Sequence, residues 1–229
     1  MIQKRESAKI IMMGATGAVG TAVVKALVKQ GKTTQLTLLG RTPLEAVTAP
    51  VIAQHKIDVT DPTSYQRYLR GHEVAICTLG VGQPSKVSKE QFLKIDKEAV
   101  LAFAKACNAA GIQHFSLLAS VDINAKSSSF YLRSKGELVD AIQALEFDRF
   151  SVFQPSMILT PENRYGIVQG VTLKVWPLLS PVLRGKFKKY RGIKVKQLGK
   201  AMAYQVFTKQ TGSVERLKWS DFQELTKKE

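Results

Sequence analysis

The sequence predicts an α/β fold, a doubly wound and mostly parallel sheet with a small irregular cap on its C-terminal side. Three observations lead there. Apolar runs of strand length alternate with stretches of helical period from residue 10 to about residue 154. The first run, Ile10-Ile11-Met12-Met13, passes directly into a glycine-spaced turn, Gly14-Ala15-Thr16-Gly17-Ala18-Val19-Gly20. The 229 residues, 45% of them hydrophobic, suffice for one substantial core. We therefore read residues 1–229 as a single domain, with 156–193 as the cap.

The glycine turn is the first element to justify. A helix beginning at about Ala18 carries Val19, Val23 and Leu27 on one stripe. Gly14 permits the sharp turn, Gly17 lets backbone approach a pyrophosphate, and Gly20 allows close packing of the helix. Unpaired amides and the positive end of the helix dipole then face an anion, with Thr16, Ala18 and Val19 beside it. Lys29-Gln30-Gly31 closes this helix.

Gln35 to Leu39 is the second strand and ends in Gly40-Arg41. NAD-selective sites place an acid ~20 positions after the glycines, on the ribose 2′-hydroxyl. Here Arg41 occupies that place, and a guanidinium can grip a 2′-phosphate through paired bonds, so NADP(H) is expected over NAD(H). A third strand, Val51 to Lys56, leads to Asp58-Val59, where the carboxylate could accept from an adenine amino group. Asp61-Pro62 caps a short helix over 63–69. Glu73 to Thr78 is the fourth strand, and Leu79-Gly80 after it would pass close to a ribose.

Ser88-Lys89-Glu90-Gln91 is a capping box that opens a long helix to Ala110, with Phe92, Ile95, Ala99, Phe103 and Ala106 in the core. His114 to Ser120 is the fifth strand. In the following helix Tyr131 and Lys135 lie four residues apart, on one face. A phenol titrates near pH 10, and a neighbouring ammonium favours its ionised form, bringing it towards acid–base use. Ser120, at a strand end, could hydrogen-bond a substrate carbonyl. Gly136 keeps that turn of helix slim. Ser127, Ser128 and Ser129 read as loop and cap. His55, His72 and His114 lack metal-ligand spacing, so no metal is expected.

These motifs resemble the extended and atypical short-chain dehydrogenase/reductases. Leu39-Gly40-Arg41, Cys77-Thr78-Leu79-Gly80, His114-Phe115-Ser116-Leu117-Leu118 and the run from Phe147 to Pro155 are similar to the Tat-interacting-protein-like oxidoreductase branch. The similarity covers about residues 8–166. It implies a Rossmann-like NADPH-binding protein in which Tyr131 exchanges the proton, Lys135 binds the nicotinamide ribose and tunes Tyr131, and Ser120 positions the carbonyl. Gln154-Pro155-Ser156 stands where relatives commonly have Arg-Pro-Gly, with Pro155 near the nicotinamide. Asp96 falls near a helix position where many such sites carry asparagine, and it is given no role.

The C-terminal third differs in charge. The chain carries a formal +16, yet Asn163 to Val214 contains eleven Lys and Arg and no Asp or Glu. Pro161, Pro177 and Pro181 punctuate an irregular segment with apolar Trp176 to Leu183, and Arg184 to Arg191 is the densest basic run. Basic and apolar residues together suit an anionic membrane face, whereas stacking residues for nucleic acid are too thin. A returning helix over 196–207, a seventh strand over 213–219 and a terminal helix capped by Ser220 complete the chain. No run reaches the ~20 apolar residues of a membrane span. Residues 1–9 do not read as a signal peptide, and Cys77 and Cys107 read as buried free thiols, which points to the cytoplasm. The leading functional expectation is an NADP(H)-dependent oxidoreductase acting on a small carbonyl/alcohol pair. The alternative is an NADPH-binding regulatory or scaffold protein that docks a protein partner or an anionic membrane through its basic end.

Overall fold

Through most of the chain strands and helices alternate, because the short apolar runs suit buried strands and each amphipathic stretch needs a sheet face to cover. The structure is a computed structural model that describes residues 5–160, 183–208 and 213–227. β1 (Ala8–Met13) is followed by α1 (Ala18–Gln30), β2 (Thr33–Gly40), β3 (Ile52–Lys56) and β4 (Val74–Cys77). Ile10, Ile11, Met12 and Met13 of β1 are all fully buried, each worth about 1.5–3 kcal/mol against exposure. α1 stops where Gly31 turns left-handed at φ 68° and donates its amide to Val28. A residue with a Cβ would be strained there.

The long helix expected to run to Ala110 is present, with an interruption that periodicity cannot reveal. α2 (Lys89–Leu93), a π turn over Lys94–Ala99 and α3 (Val100–Ala109) follow without a break. Ser88 opens it by accepting from the Gln91 amide at 3.1 Å. The short helix expected over 63–69 is instead two 3₁₀ turns, Pro62–Ser64 and Gln66–Tyr68, the first capped by Asp61. β5 (His114–Leu118), α4 (Phe130–Gln143) and β6 (Arg149–Phe153) complete the alternation.

Seven strands form one sheet in the order β3-β2-β1-β4-β5-β6-β9, where β9 is Val214–Leu217. Every pairing in it is parallel. The order reverses between β1 and β4, so their C-terminal ends border the crevice where ligands of open parallel sheets bind. Two cores lie on opposite faces of the sheet. One holds α1 and α5 (Val195–Gln205), and the other holds α3 and α4. A Cβ on Gly199 of α5 would lie 2.5 Å from that of Ala22, so only glycine permits the two helices of the first core to approach this closely.

Of the cap, the structure describes β7 (Ile158–Leu159) paired in parallel with β8 (Ile193–Lys194), and a 3₁₀ helix over Gly185–Tyr190. The expectations for Pro161, Trp176, Pro177 and Pro181 lie outside the described residues. α6 (Trp219–Lys227) corrects one expectation: Ser220 is inside the helix, and Asp221 supplies the capping contact by accepting from the Lys218 amide at 2.7 Å.

Far from the crevice, where β5 and β6 begin, a polar cluster is buried against β9. Arg149 Nη2 donates to both Glu215 carboxylate oxygens, at 3.1 and 3.0 Å, and its Nε to Oε2 at 3.1 Å. Ser151 donates to Glu215 at 3.0 Å and shares a 2.9 Å bond with His114, while Gln205 donates to Ser151 at 2.6 Å. This cluster fastens the last strand onto the sheet.

Candidate functional site

The site is built upward from the β1–α1 turn. Gly14 has φ +93°, and a Cβ on it would sit 2.6 Å from the Leu79 amide nitrogen. Thr78 closes this approach, donating its hydroxyl to the Gly14 carbonyl at 2.9 Å while its amide reaches Met13. Gly17 is the N-cap of α1 in an extended conformation with no side chain capping the helix, so first-turn amides are left for an external acceptor. Gly20 turns out to pack on the turn itself rather than on the sheet: its missing Cβ would lie 2.1 Å from the Gly14 carbonyl oxygen.

A crevice of about 720 Å³ opens above this turn. Gly14, Thr16, Gly17, Arg41, Val59, Leu79 and Gly80 line it, as do Gln54, His55 and Lys56, which sequence reasoning did not single out. Lys56 is opposite Gly40 in the β2–β3 register, beside Arg41. That neighbour depends on strand pairing and has no signal in local sequence. His55 stacks on Tyr68 with ring centroids 3.7 Å apart.

Ala18, Val19 and Gly20 sit behind the lining, in the first turn of α1. Asp58 is outside it as well. Its carboxylate accepts from the Thr60 amide and hydroxyl, each at 2.8 Å. Those bonds hold it below the ordinary carboxylate range, with Lys94 and Arg41 assisting against a small burial effect.

Ser120 lies two residues past β5, in a segment that continues the ladder: Ala119 donates to Phe153 at 2.8 Å and Val121 to Pro155 at 3.0 Å. Pro155 is buried and holds this loop from the β6 side. Tyr131 and Lys135 are in the first two turns of α4, whose N-cap is Ser129. The Tyr131 ring packs on Phe92, centroids 5.6 Å apart. A Cβ on Gly136 would meet the Ala125 amide nitrogen at 2.3 Å, so this glycine lets the loop after Ser120 fold down on α4. Ser120, Tyr131, Lys135 and Pro155 do not line the crevice around the glycine turn.

Lys135 is buried, and its partner is the residue left without a role. Its ammonium lies 2.9 Å from Asp96 Oδ1 in the π turn and donates to the Asp96 backbone carbonyl at 3.3 Å. Nearer the cap, Asp122 has φ 57° and accepts from both Lys189 and Tyr190. Burial would raise its carboxyl, but those two bonds outweigh it and keep the group lowered. Cys77 and Cys107 are buried free thiols, and burial pushes Cys77 up to about 11. Among the described residues no group of His, Cys, Asp and Glu could hold a metal ion, and no helix is long and apolar enough to cross a membrane.

A glycine turn at the switch point of a parallel sheet, with a crevice over it, defines a Rossmann-like nucleotide-binding protein. The chain belongs to the NAD(P)H-binding family, whose model matches residues 14–170. It is 32% identical over 158 residues to the protein HTATIP2 of Rattus norvegicus, covering 68% of this chain and 65% of that one. The chain thus spans just under two thirds of that relative. The mitochondrial protein FMP52 of Debaryomyces hansenii is 27% identical over 212 residues, covering 89% of this chain and 91% of the relative. Among solved structures, MoeE5 in complex with UDP-glucuronic acid and NAD superposes with a TM-score of 0.70 at 14% identity, covering 96% of this chain and 82% of that one. A UDP-galactose 4-epimerase gives 0.66 at 15% identity, covering 91% and 76%. At such identities the structural likeness shows the fold alone. The rat relative bears out the resemblance to the Tat-interacting-protein-like branch.

Proposed function

We propose that the chain is an NADP(H)-dependent oxidoreductase that interconverts a small carbonyl and its alcohol. The observation that carries this is the crevice itself: a glycine-turn cradle with Gly14 and Gly17 below, backed by Gly20, and Arg41 and Lys56 lining one side. The cradle fits a pyrophosphate, and the two cations suit a 2′-phosphate. Bound NADPH would supply hydride. Ser120 would donate its hydroxyl to the substrate oxygen, and Tyr131 would deliver a proton to that oxygen. Lys135 would hold a ribose hydroxyl from the buried side of α4. The test is calorimetric titration with NADPH and NADH beside Arg41→Ala. Loss of NADPH binding by about tenfold or more, with NADH little changed, is the expected result. An equal loss of both would overturn the 2′-phosphate reading. A cytoplasmic location is in keeping with the two free thiols. Fractionation tests it, and recovery with mitochondria, the compartment in the fungal relatives' names, would overturn it.

A second reading rests on Phe187. It is 62% exposed on the basic 3₁₀ helix, between exposed Lys186 and Lys188. The helix is pinned by Lys189 and Tyr190 to Asp122, and just past it Arg191 lies over the Trp219 ring at 4.8 Å. An aromatic side chain held out between lysines suits an anionic bilayer surface, where an NADPH-binding regulator could dock. Sedimentation with phosphatidylserine vesicles should retain the wild-type chain and release it in salt. Equal retention of Phe187→Ala would overturn this reading.

A further inference from the structure

Among the described residues, two carboxylates are buried, Asp96 and Glu215. Glu215 is accounted for by Arg149 at the far end of the sheet. Asp96 lies behind the Gly80 edge of the crevice and makes three polar contacts, two with Lys135 and one with Val81. Its Oδ1 is 2.9 Å from the Lys135 ammonium, its backbone carbonyl accepts from the same ammonium at 3.3 Å, and its Oδ2 accepts from the Val81 amide at 2.8 Å. Val81 follows Leu79 and Gly80, which line the crevice. A Cβ on Gly80 would lie 3.1 Å from Asp96 Oδ1, so this loop fits closely against the carboxylate.

The helix geometry makes this double contact with Lys135 possible. Asp96 is inside the π turn Lys94–Ala99. A π turn widens the helix and displaces a carbonyl from the regular ladder, a distortion that recurs at functional sites. An ammonium has three donors. Asp96 engages the ammonium from one side, through the hydrogen bond to its carbonyl and the ion pair with its carboxylate, and among the described residues Lys135 has no other protein acceptor. The cation is also almost wholly buried, with its side chain 6% exposed. Such a charge needs a counter-charge at that depth.

We propose that Asp96 is a positioning residue of the nucleotide site. Its carboxylate fixes Lys135 and the Leu79–Val81 loop relative to each other, and leaves one Lys135 N–H directed to the ligand. This rests on the cofactor reading above and assigns a job to a residue that reading does not use. Asparagine could not replace it. It would keep one acceptor oxygen, lose the second and leave the ammonium without a counter-charge.

The test is a double-mutant cycle of Asp96→Asn and Lys135→Met on the full chain. NADPH affinity is read by calorimetry, and stability without nucleotide by thermal unfolding. Asp96→Asn should weaken NADPH by on the order of tenfold in the wild-type background and add nothing in the Lys135→Met background. Its loss of thermal stability should likewise shrink once Lys135 is gone. The double variant buries neither charge, so if Asp96→Asn alone unfolds while the double variant folds, the coupling is established. Equal penalties in both backgrounds, or an Asp96→Asn chain that binds as tightly as wild type, would overturn the proposal alone. A wild-type chain that binds neither NADPH nor NADH overturns the cofactor reading, and the positioning role with it.

Discussion

Gly20 and Gly14 touch across the first turn of α1: a Cβ on Gly20 would stand 2.1 Å from the Gly14 carbonyl oxygen. That atom is backbone, in a loop already held by Thr78, so it cannot move aside cheaply. Gly20→Ala is therefore expected to lose about 1–3 kcal/mol of stability through overpacking. It should also weaken NADPH binding by roughly tenfold or more, because the strain falls on the cradle. Denaturant unfolding and nucleotide titration of the same variant check both. Unchanged affinity would mean the cradle does not hold the nucleotide.

Tyr131→Phe separates chemistry from binding. The phenol oxygen is the group proposed to pass the proton, while the ring's packing on Phe92 survives the change. Turnover of a carbonyl substrate should fall by about 10²–10⁴, with NADPH affinity kept. A variant that turns over as wild type would remove Tyr131 from the reaction.

The Arg149–Glu215 pair is buried on both sides, each side chain 8% exposed. Glu215→Ala should cost about 3–5 kcal/mol, since it leaves the buried guanidinium without its counter-charge and with only its bonds to Thr208. Arg149→Met with Glu215→Met should recover most of that loss. Urea titration of these chains beside Arg149→Met and Glu215→Met alone decides, and additive penalties would show that the two charges are not coupled.

Burial, aided by Arg149 and Arg5, holds His114 well below the usual histidine value. His72 is lowered too, by burial first and slightly by Lys9, against the opposing bond to Leu69. The folded chain thus binds fewer protons than the unfolded chain once the pH falls below about 6.5. Stability should be complete above that value and decline below it, by up to about 1.4 kcal/mol per pH unit for each histidine. Unfolding free energies between about pH 7.5 and pH 5 test this, a window above most carboxylate titration. A flat profile would contradict it, and His114→Gln should reduce the slope.

Much of the frame was legible in the sequence. Ile10 to Met13 and the glycines after them give strand, turn and helix from local period and backbone freedom alone, and β4, β5 and β6 stand out as short, mostly apolar runs, whereas β3 and β9 are mixed in polarity. The site was legible only in part. The Tyr131/Lys135 spacing is local, but the Lys135 partner is 39 residues away across two helices, and only packing brings it there. The π turn that presents Asp96 looks like ordinary helix to a period of 3.6. Lys56 beside Arg41 is a matter of strand register, and Ser220 yielded the cap to Asp221 because that carboxylate reaches back to the Lys218 amide.

The place of β9 has a consequence for how the chain comes to be folded. β6 is followed by 60 residues before its outer neighbour begins, and closures over such separations come late. Until then the edge at Arg149–Phe153 presents open backbone, apolar side chains and an unmatched guanidinium. A chain halted at that stage has a template for pairing with another chain. Docking of the segment that finishes the domain is thus also what removes that template.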